Sequence, residues 1–320
     1  MAAPELVLTQ RAPPSAPFQP RLRIGLLNNM PDAALCATER QFGDLLRAAG
    51  GDTEVELVLF QLAGVARGEK ARASMDGRYQ GAPAIADAGL DGLIVTGAEP
   101  KTPRLDDEPY WPALTEVADW TRFAHLPTVW SCLAAHAAVL HFNGIERRLL
   151  PAKLSGVFTS VPAGDDPLIA GAARLTMPHS RLNGLDEGEL IASGYETLTH
   201  SRAAGVDAFV RREGGLQLFL QGHPEYDAET LTREYLRDVG RFLRGERPAH
   251  PGVPAGYFDE ATKVRLAALS QQPRPLAEYE AVVAAASPDW TWRGSAIRLY
   301  RNWLAELAPA PSQIEAGRAA

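Results

Sequence analysis

Apolar residues fall along the chain in short runs that switch between two periods. Leu22-Arg23-Ile24-Gly25-Leu26-Leu27 has strand length and ends at Asn28-Asn29-Met30-Pro31. Asp32 then reads as the N-cap of a helix whose apolar positions Leu35, Phe42, Leu45 and Leu46 share one face, with Gly50-Gly51 as its stop. Val55, Leu57 and Leu59 alternate with polar neighbours and predict a second strand. Residues 64–90 are polar, rich in Gly and Ala, and show no clear period. A third strand is predicted at 92–96, running into Gly97. A loop with Pro100, Pro103 and Pro109 follows, then a helix from about Trp111 to Phe123. Residues 127–130 form a fourth short apolar run that passes straight into a helical stretch at 133–142, closed by Asn143-Gly144. Further on, 190–192, 208–210 and 216–220 read as strands, 228–242 as a helix, and an aromatic-rich helix ends near Leu307.

Strand and helix thus alternate as in an α/β protein, with a mostly parallel sheet flanked by helices. Residues 1–20 are proline-rich and aperiodic, and read as a flexible arm. With no internal repeat and no linker, 21–305 reads as one domain and 306–320 as a tail.

Composition narrows the function classes. Hydrophobic residues make up 46% and charged residues 22%, which excludes a fibrous or disordered chain. The net charge of −7 argues against a nucleic-acid-binding surface. The two cysteines, Cys36 and Cys132, are too few for a disulfide framework or a four-thiolate metal site. Among seven histidines none shows paired ligand spacing, since His136 and His141 do not share a helical face as i, i+4 ligands would, so no metal is expected. The most apolar stretch, 128–142, holds Ser131, His136 and His141 and falls short of the ~20 residues of a membrane span. The N-terminus lacks a signal peptide's charged start and apolar core, so a cytoplasmic protein without a membrane partner is expected.

The chemistry gathers at Cys132. It sits where a strand becomes a helix, a sharp turn that lifts a nucleophile above the sheet edge. The helix N-terminus there favours thiolate and offers backbone N–H groups to an oxyanion. A buried structural cysteine is the competing reading. A cysteine nucleophile needs a base, and the base needs an orienting group. Gly222-His223-Pro224-Glu225 supplies both just after the strand ending at Leu220, on the carboxyl side where α/β active sites form.

Trp130-Ser131-Cys132 with His223-Pro224-Glu225 resembles the class I glutamine amidotransferase-like superfamily, flavodoxin-like in fold, with its Cys-His-Glu triad. More specifically the chain resembles the homoserine O-acyltransferases of methionine biosynthesis. Leu27-Asn28-Asn29-Met30-Pro31, Thr38-Glu39-Arg40-Gln41-Phe42 and Gly92-Leu93-Ile94-Val95-Thr96-Gly97-Ala98 carry that likeness. So do Lys153-Leu154-Ser155-Gly156-Val157, Pro178-His179-Ser180-Arg181, Arg237-Asp238 and Asn302-Trp303, and together they span about residues 21–305.

The resemblance implies a ping-pong acyl transfer with acyl-CoA as cosubstrate, L-homoserine as acceptor, no tightly bound cofactor and a homodimer. Cys132 would carry the acyl group, His223 would act as base and acid, and Glu225 would orient it. The oxyanion would rest on backbone amides of Leu133 and Met30. Lys153, Ser180 and Arg237 would bind substrate, with Arg237 on the amino-acid carboxylate. Ordinary surface roles for Lys153 and Arg237 remain open from sequence alone.

The chain departs from the pattern in places. The lysines that usually follow Asn-Leu-Met-Pro are absent, Leu133 replaces a Trp, and His136 replaces a Gln. In the family a loop residue helps choose the acyl group, and alignment by length puts Lys101 there. A cation would welcome a succinyl carboxylate, so succinyl-CoA is expected over acetyl-CoA. Serine as acceptor, an amide hydrolase of the same superfamily, and a regulatory relative remain as alternatives.

Overall fold

The structure, a computed structural model, describes residues 21–272, 274–288 and 290–307. The proposed arm at 1–20, and the tail from 308 on, lie outside the described residues. In chain order the elements are β1 (Arg21–Leu27), α1 (Leu35–Gly50), β2 (Glu54–Gln61), α2 (Glu69–Met75), β3 (Tyr79–Gly81), β4 (Gly92–Val95), α3 (Trp111–Phe123), β5 (Thr128–Ser131) and α4 (Leu133–Asn143). They continue as β6 (Arg148–Pro162), β7 (Leu175–Gly184), α5 (Glu187–Ala192), β8 (Glu196–Ser201), β9 (Gly205–Arg211), β10 (Gln217–Leu220), α6 (Thr230–Leu243), α7 (Glu260–Ser270), α8 (Leu276–Ala284) and α9 (Arg293–Leu307).

The ten strands of the described residues join one sheet in the order β3-β2-β1-β4-β5-β10-β9-β8-β6-β7. From β3 to β10 the neighbours are parallel; beyond β10 every pairing is antiparallel. With three-residue β3 set aside, the parallel half has the order 2-1-3-4-5 of a flavodoxin-like sheet.

The central strands β4, β5 and β10 are buried at every position because both faces of the sheet are covered. Leu93 and Val95 pack on one side with Trp130, Leu114 of α3 and the alanines of α4. Ile94, between them, points to the other side, where it meets Phe42 of α1 and Tyr300 and Trp303 of α9. Trp303 is fully buried, and Gly92 makes room for it: a Cβ there would lie 2.9 Å from the indole. A third apolar cluster joins α6, α7 and α8 around Tyr226, Leu231 and Trp292.

Three local expectations are corrected. Asp32 does not cap α1, whose N-cap is Ala34 without a side-chain bond; the Asp32 carboxylate instead accepts from the Gly68 amide at 2.8 Å. Residues 190–192 are not a strand. They end the short helix α5, capped by Asp186, whose side chain accepts from the Glu189 amide at 3.0 Å. Leu190 is buried while Ile191 is exposed, and the acidic first turn fits the helix dipole. The stretch 64–90 without period holds α2, β3 and a 3-10 turn at Ala82–Asp87.

Candidate active site

Four adjacent parallel strands, β1, β4, β5 and β10, end on one edge of the sheet, and the loops leaving them carry Asn28-Asn29-Met30, Thr96-Gly97, Cys132 and His223. Register therefore brings together residues that lie almost 200 positions apart in sequence.

Cys132 is the hinge between β5 and α4. Its φ of 54° and ψ of −113° are rare for a residue with a Cβ, a strain of roughly 1–3 kcal/mol that the surrounding structure must hold in place. Its amide donates to Leu220 O on β10 at 2.7 Å, and its carbonyl accepts from Ala135 N at 3.0 Å. The side chain is partly exposed. Gly97 presses against the next residue: a Cβ on it would stand 2.7 Å from Leu133 Cβ and 3.0 Å from Leu133 N.

His223 is buried beside the thiol. Its Nδ1 lies 2.8 Å from Glu225 Oε1, which leaves Nε2 for Cys132. Burial disfavours the imidazolium, but the charges on Cys132 and Glu225 outweigh it and raise the His223 pKa well above that of a free histidine. The ring stacks on Tyr226, with centroids 4.2 Å apart. Tyr226 is fixed in turn by donating to Glu234 Oε1 at 3.0 Å. From below, the His223 amide donates to Pro178 O at 2.8 Å. Under adjacent Gly222, sealed from solvent, His179 Nε2 lies 3.1 Å from Asp207 Oδ1.

A cavity of about 550 Å³ opens above this arrangement. Cys132, Leu133, His223 and Glu225 line it, as do Met30, Lys153, Ser180 and Arg237. Lys153 Nζ donates to Asp238 Oδ2 at 2.7 Å, and Arg237 and Arg247 each reach the same carboxylate at 3.2 Å. Burial alone would raise the Asp238 pKa, but Lys153 and Arg237 hold it below the ordinary value.

Two expected residues are placed differently. Lys101 is exposed and does not line the cavity; its backbone N–H donates to Glu108 Oε1 at 2.6 Å, and Glu99 and Pro100 of the same loop face inward instead. Met30 lines the cavity, but its amide already donates to Asn28 Oδ1 at 3.2 Å and the Asn29 amide to Thr96 Oγ1 at 2.8 Å. Neither is left for an oxyanion, whereas Leu133, in the first turn of α4, has no carbonyl within its helix to bond.

Sequence reading gave no role in the site to several of its residues. Arg67, from the aperiodic stretch, clamps the carbonyls of Asn28 and Met30 from behind. Asp238 collects three cations, and its only sequence signal was its place beside Arg237 on the buried stripe of α6. His136 is buried with Nε2 2.9 Å from Gln221 Oε1, and burial lowers its pKa to about 3. Arg147, from the turn after α4, also lines the cavity.

A family model described as homoserine O-succinyltransferase matches residues 8–309. The chain is 50% identical over 296 residues to a homoserine O-succinyltransferase of Methylorubrum extorquens, covering 90% of this chain and 88% of that one. Similar proteins of that name from Rhodopseudomonas palustris and Bradyrhizobium japonicum are 46% and 45% identical, over 91% and 90% of this chain and 89% and 90% of theirs. Among solved structures, a glutamine amidotransferase from Methylobacillus flagellatus superposes with a TM-score of 0.53 at 17% identity, covering 92% of this chain and 98% of the other. One from Thermotoga maritima also gives 0.53, at 11% identity, over 90% of this chain and 99% of the other. At such identities these two speak for the fold alone.

Proposed function

The chain belongs to the homoserine O-succinyltransferase family, and from that premise we propose how its site moves a succinyl group from succinyl-CoA to the hydroxyl of L-homoserine, a step of methionine biosynthesis. The observation that carries the reading is the alignment of a strained, partly exposed thiol, a buried imidazole and a carboxylate at one strand edge.

In the first half-reaction Cys132 Sγ, as thiolate, attacks the thioester carbonyl carbon. The new oxyanion takes the Leu133 N–H, in the space that Gly97 leaves open. The carbon–sulfur bond to CoA breaks, and the His223 imidazolium gives its proton to the departing thiolate. An acyl-cysteine remains. In the second half, neutral His223 takes the proton of the homoserine hydroxyl as its oxygen attacks the acyl carbon. The bond to Cys132 breaks, and thiolate and imidazolium are restored. Glu225 holds Nδ1–H throughout and so keeps Nε2 turned to the reacting atoms.

Arg237 and Lys153, held by Asp238, would receive the amino-acid carboxylate, with Ser180 beside them. Residues 21–305 act in this reading as one acyltransferase unit, paired as a homodimer in the cytoplasm; family membership supports both, and sedimentation of the purified protein tests the pairing.

Incubation with succinyl-CoA alone is the decisive experiment. One equivalent of CoA should be released, and mass spectrometry should find a succinyl adduct on the peptide containing Cys132. Cys132→Ala should abolish both. Release of ammonia from glutamine would assign the triad to amide hydrolysis instead.

A further inference from the structure

We propose that Arg147 binds the free carboxylate of the succinyl group and thereby selects the acyl donor, an inference that rests on the succinyl transfer described above.

Succinyl differs from the neutral acyl groups by one anion, and a buried anion needs a cation or several donors. Six cations line the cavity: Arg147, Lys153, Arg181, Arg237, Arg241 and Arg247. Four already sit in ion pairs. Lys153, Arg237 and Arg247 share Asp238, and Arg241 faces Glu99 at 3.6 Å. Arg181 is almost fully buried, and its guanidinium is spent on His179 Nδ1 and the carbonyls of Asn183 and Ala204. Arg147, like Arg181, has no ion pair among the described residues, but unlike Arg181 its guanidinium is little committed. Its one hydrogen bond is a long one, to Pro103 O at 3.3 Å.

Position agrees with charge. Cys132, Leu133 and His136 follow one face of the first turn of α4 and line the cavity together with Arg147. The charge of Arg147 also reaches His136, which sets it near the α4 side of the cavity. Glu108 lies close enough to act on it electrostatically, but one oxygen of that carboxylate is committed to Lys101 N, Thr102 N and Thr102 Oγ1. Glu108 and the Pro103 contact together tie the loop at 99–103 against Arg147. Half-buried, the guanidinium has lost part of its hydration, and its pKa is lowered for that reason. A fork of parallel N–H donors then meets a carboxylate at little further cost.

The test compares succinyl-CoA with butyryl-CoA, which keeps the four-carbon chain and replaces the carboxylate by a methyl group. Thiol release is followed at saturating homoserine. Arg147→Met should lower kcat/KM for succinyl-CoA by about 10- to 100-fold and change the value for butyryl-CoA by less than about twofold. Arg147→Lys should recover part of the loss. The KM for homoserine should stay as in the parent. An equal fall for both donors, an unchanged succinyl-CoA value, or a rise only in the homoserine KM would each overturn the assignment. Were the parent protein to release no thiol from any acyl-CoA, the acyl-transfer reading would fail, a result distinct from these three.

Discussion

Lys153 Nζ lies 2.7 Å from Asp238 Oδ2, so this cation is engaged before any substrate arrives. The pair links β6 to α6, and with Arg237 and Arg247 it turns one buried carboxylate into the anchor of a cationic wall. A substrate carboxylate added here joins a network whose geometry is already fixed, which lowers the cost of ordering long side chains.

Asp238→Asn should therefore impair the acceptor half of the reaction. The three cations would lose their shared anion, and the apparent KM for homoserine should rise by about tenfold. The burst of CoA released from succinyl-CoA alone should keep its amplitude, because Cys132 and His223 do not touch this carboxylate. A lost burst with an unchanged homoserine KM would place Lys153 at the thiol instead.

Glu225→Gln removes a charge and keeps the shape. The amide can still accept from Nδ1, but the anion that helps hold the imidazolium is gone. The His223 pKa should fall, so the alkaline limb of kcat/KM for the acyl donor should move to lower pH. Activity at the optimum should drop by about 100-fold or more. A pH–rate profile of both proteins checks the direction; an unmoved alkaline limb would deny Glu225 its electrostatic part.

The parallel half of the fold was legible because its strands and helices keep strict periods: Leu93, Ile94 and Val95 alternate between two apolar layers, and Leu35, Phe42, Leu45 and Leu46 lie on one buried stripe. In the antiparallel half β9 was legible at 208–210, whereas β6, β7 and β8 were not. β6 is partly exposed along much of its length, carries a register shift between Leu149 and Leu154, and pairs with β7 across a proline at Pro178, so no clean alternation marks it. At the site, Cys132, His223 and Glu225 could be read because strand-end chemistry has a local signature. Arg147, Arg67 and Asp238 could not, since their roles come from what folding sets against them. Lys101 shows the converse: counting along a proline-rich loop located the loop, while Glu108 decides which of its residues face the cavity.

Gly97→Ala tests the space above the Leu133 amide. The added methyl would stand inside van der Waals contact of both Leu133 Cβ and its nitrogen, where the oxyanion is to sit. Gly97 has no positive φ, so its own backbone is not strained, but the first turn of α4 must give way to the methyl; an unchanged circular dichroism spectrum will show that the rest of the fold holds. Acylation by succinyl-CoA should slow by about 100- to 1,000-fold, as expected when an oxyanion donor is lost. A folded variant with full acylation rate would move the oxyanion elsewhere.

His136 makes stability depend on pH in a way that can be removed. In the folded protein its pKa is lowered to about 3 by burial, whereas an unfolded chain titrates near the ordinary value of about 6.5. Between these values the unfolded state binds the extra proton, so acid favours unfolding. The contribution of neutral His136 is whole above about pH 6.5 and fades as pH falls toward 3, by up to roughly 1.4 kcal/mol per unit. His136→Gln cannot take up that proton and can still bond Gln221. Urea midpoints at pH 7.5 and pH 5 should therefore differ less in the variant than in the parent. Part of the difference should persist, because burial lowers the pKa of His179 as well, beside Asp207. If both proteins lost the same stability on acidification, the proton would be entering elsewhere, and the His136–Gln221 pair would be no more than packing.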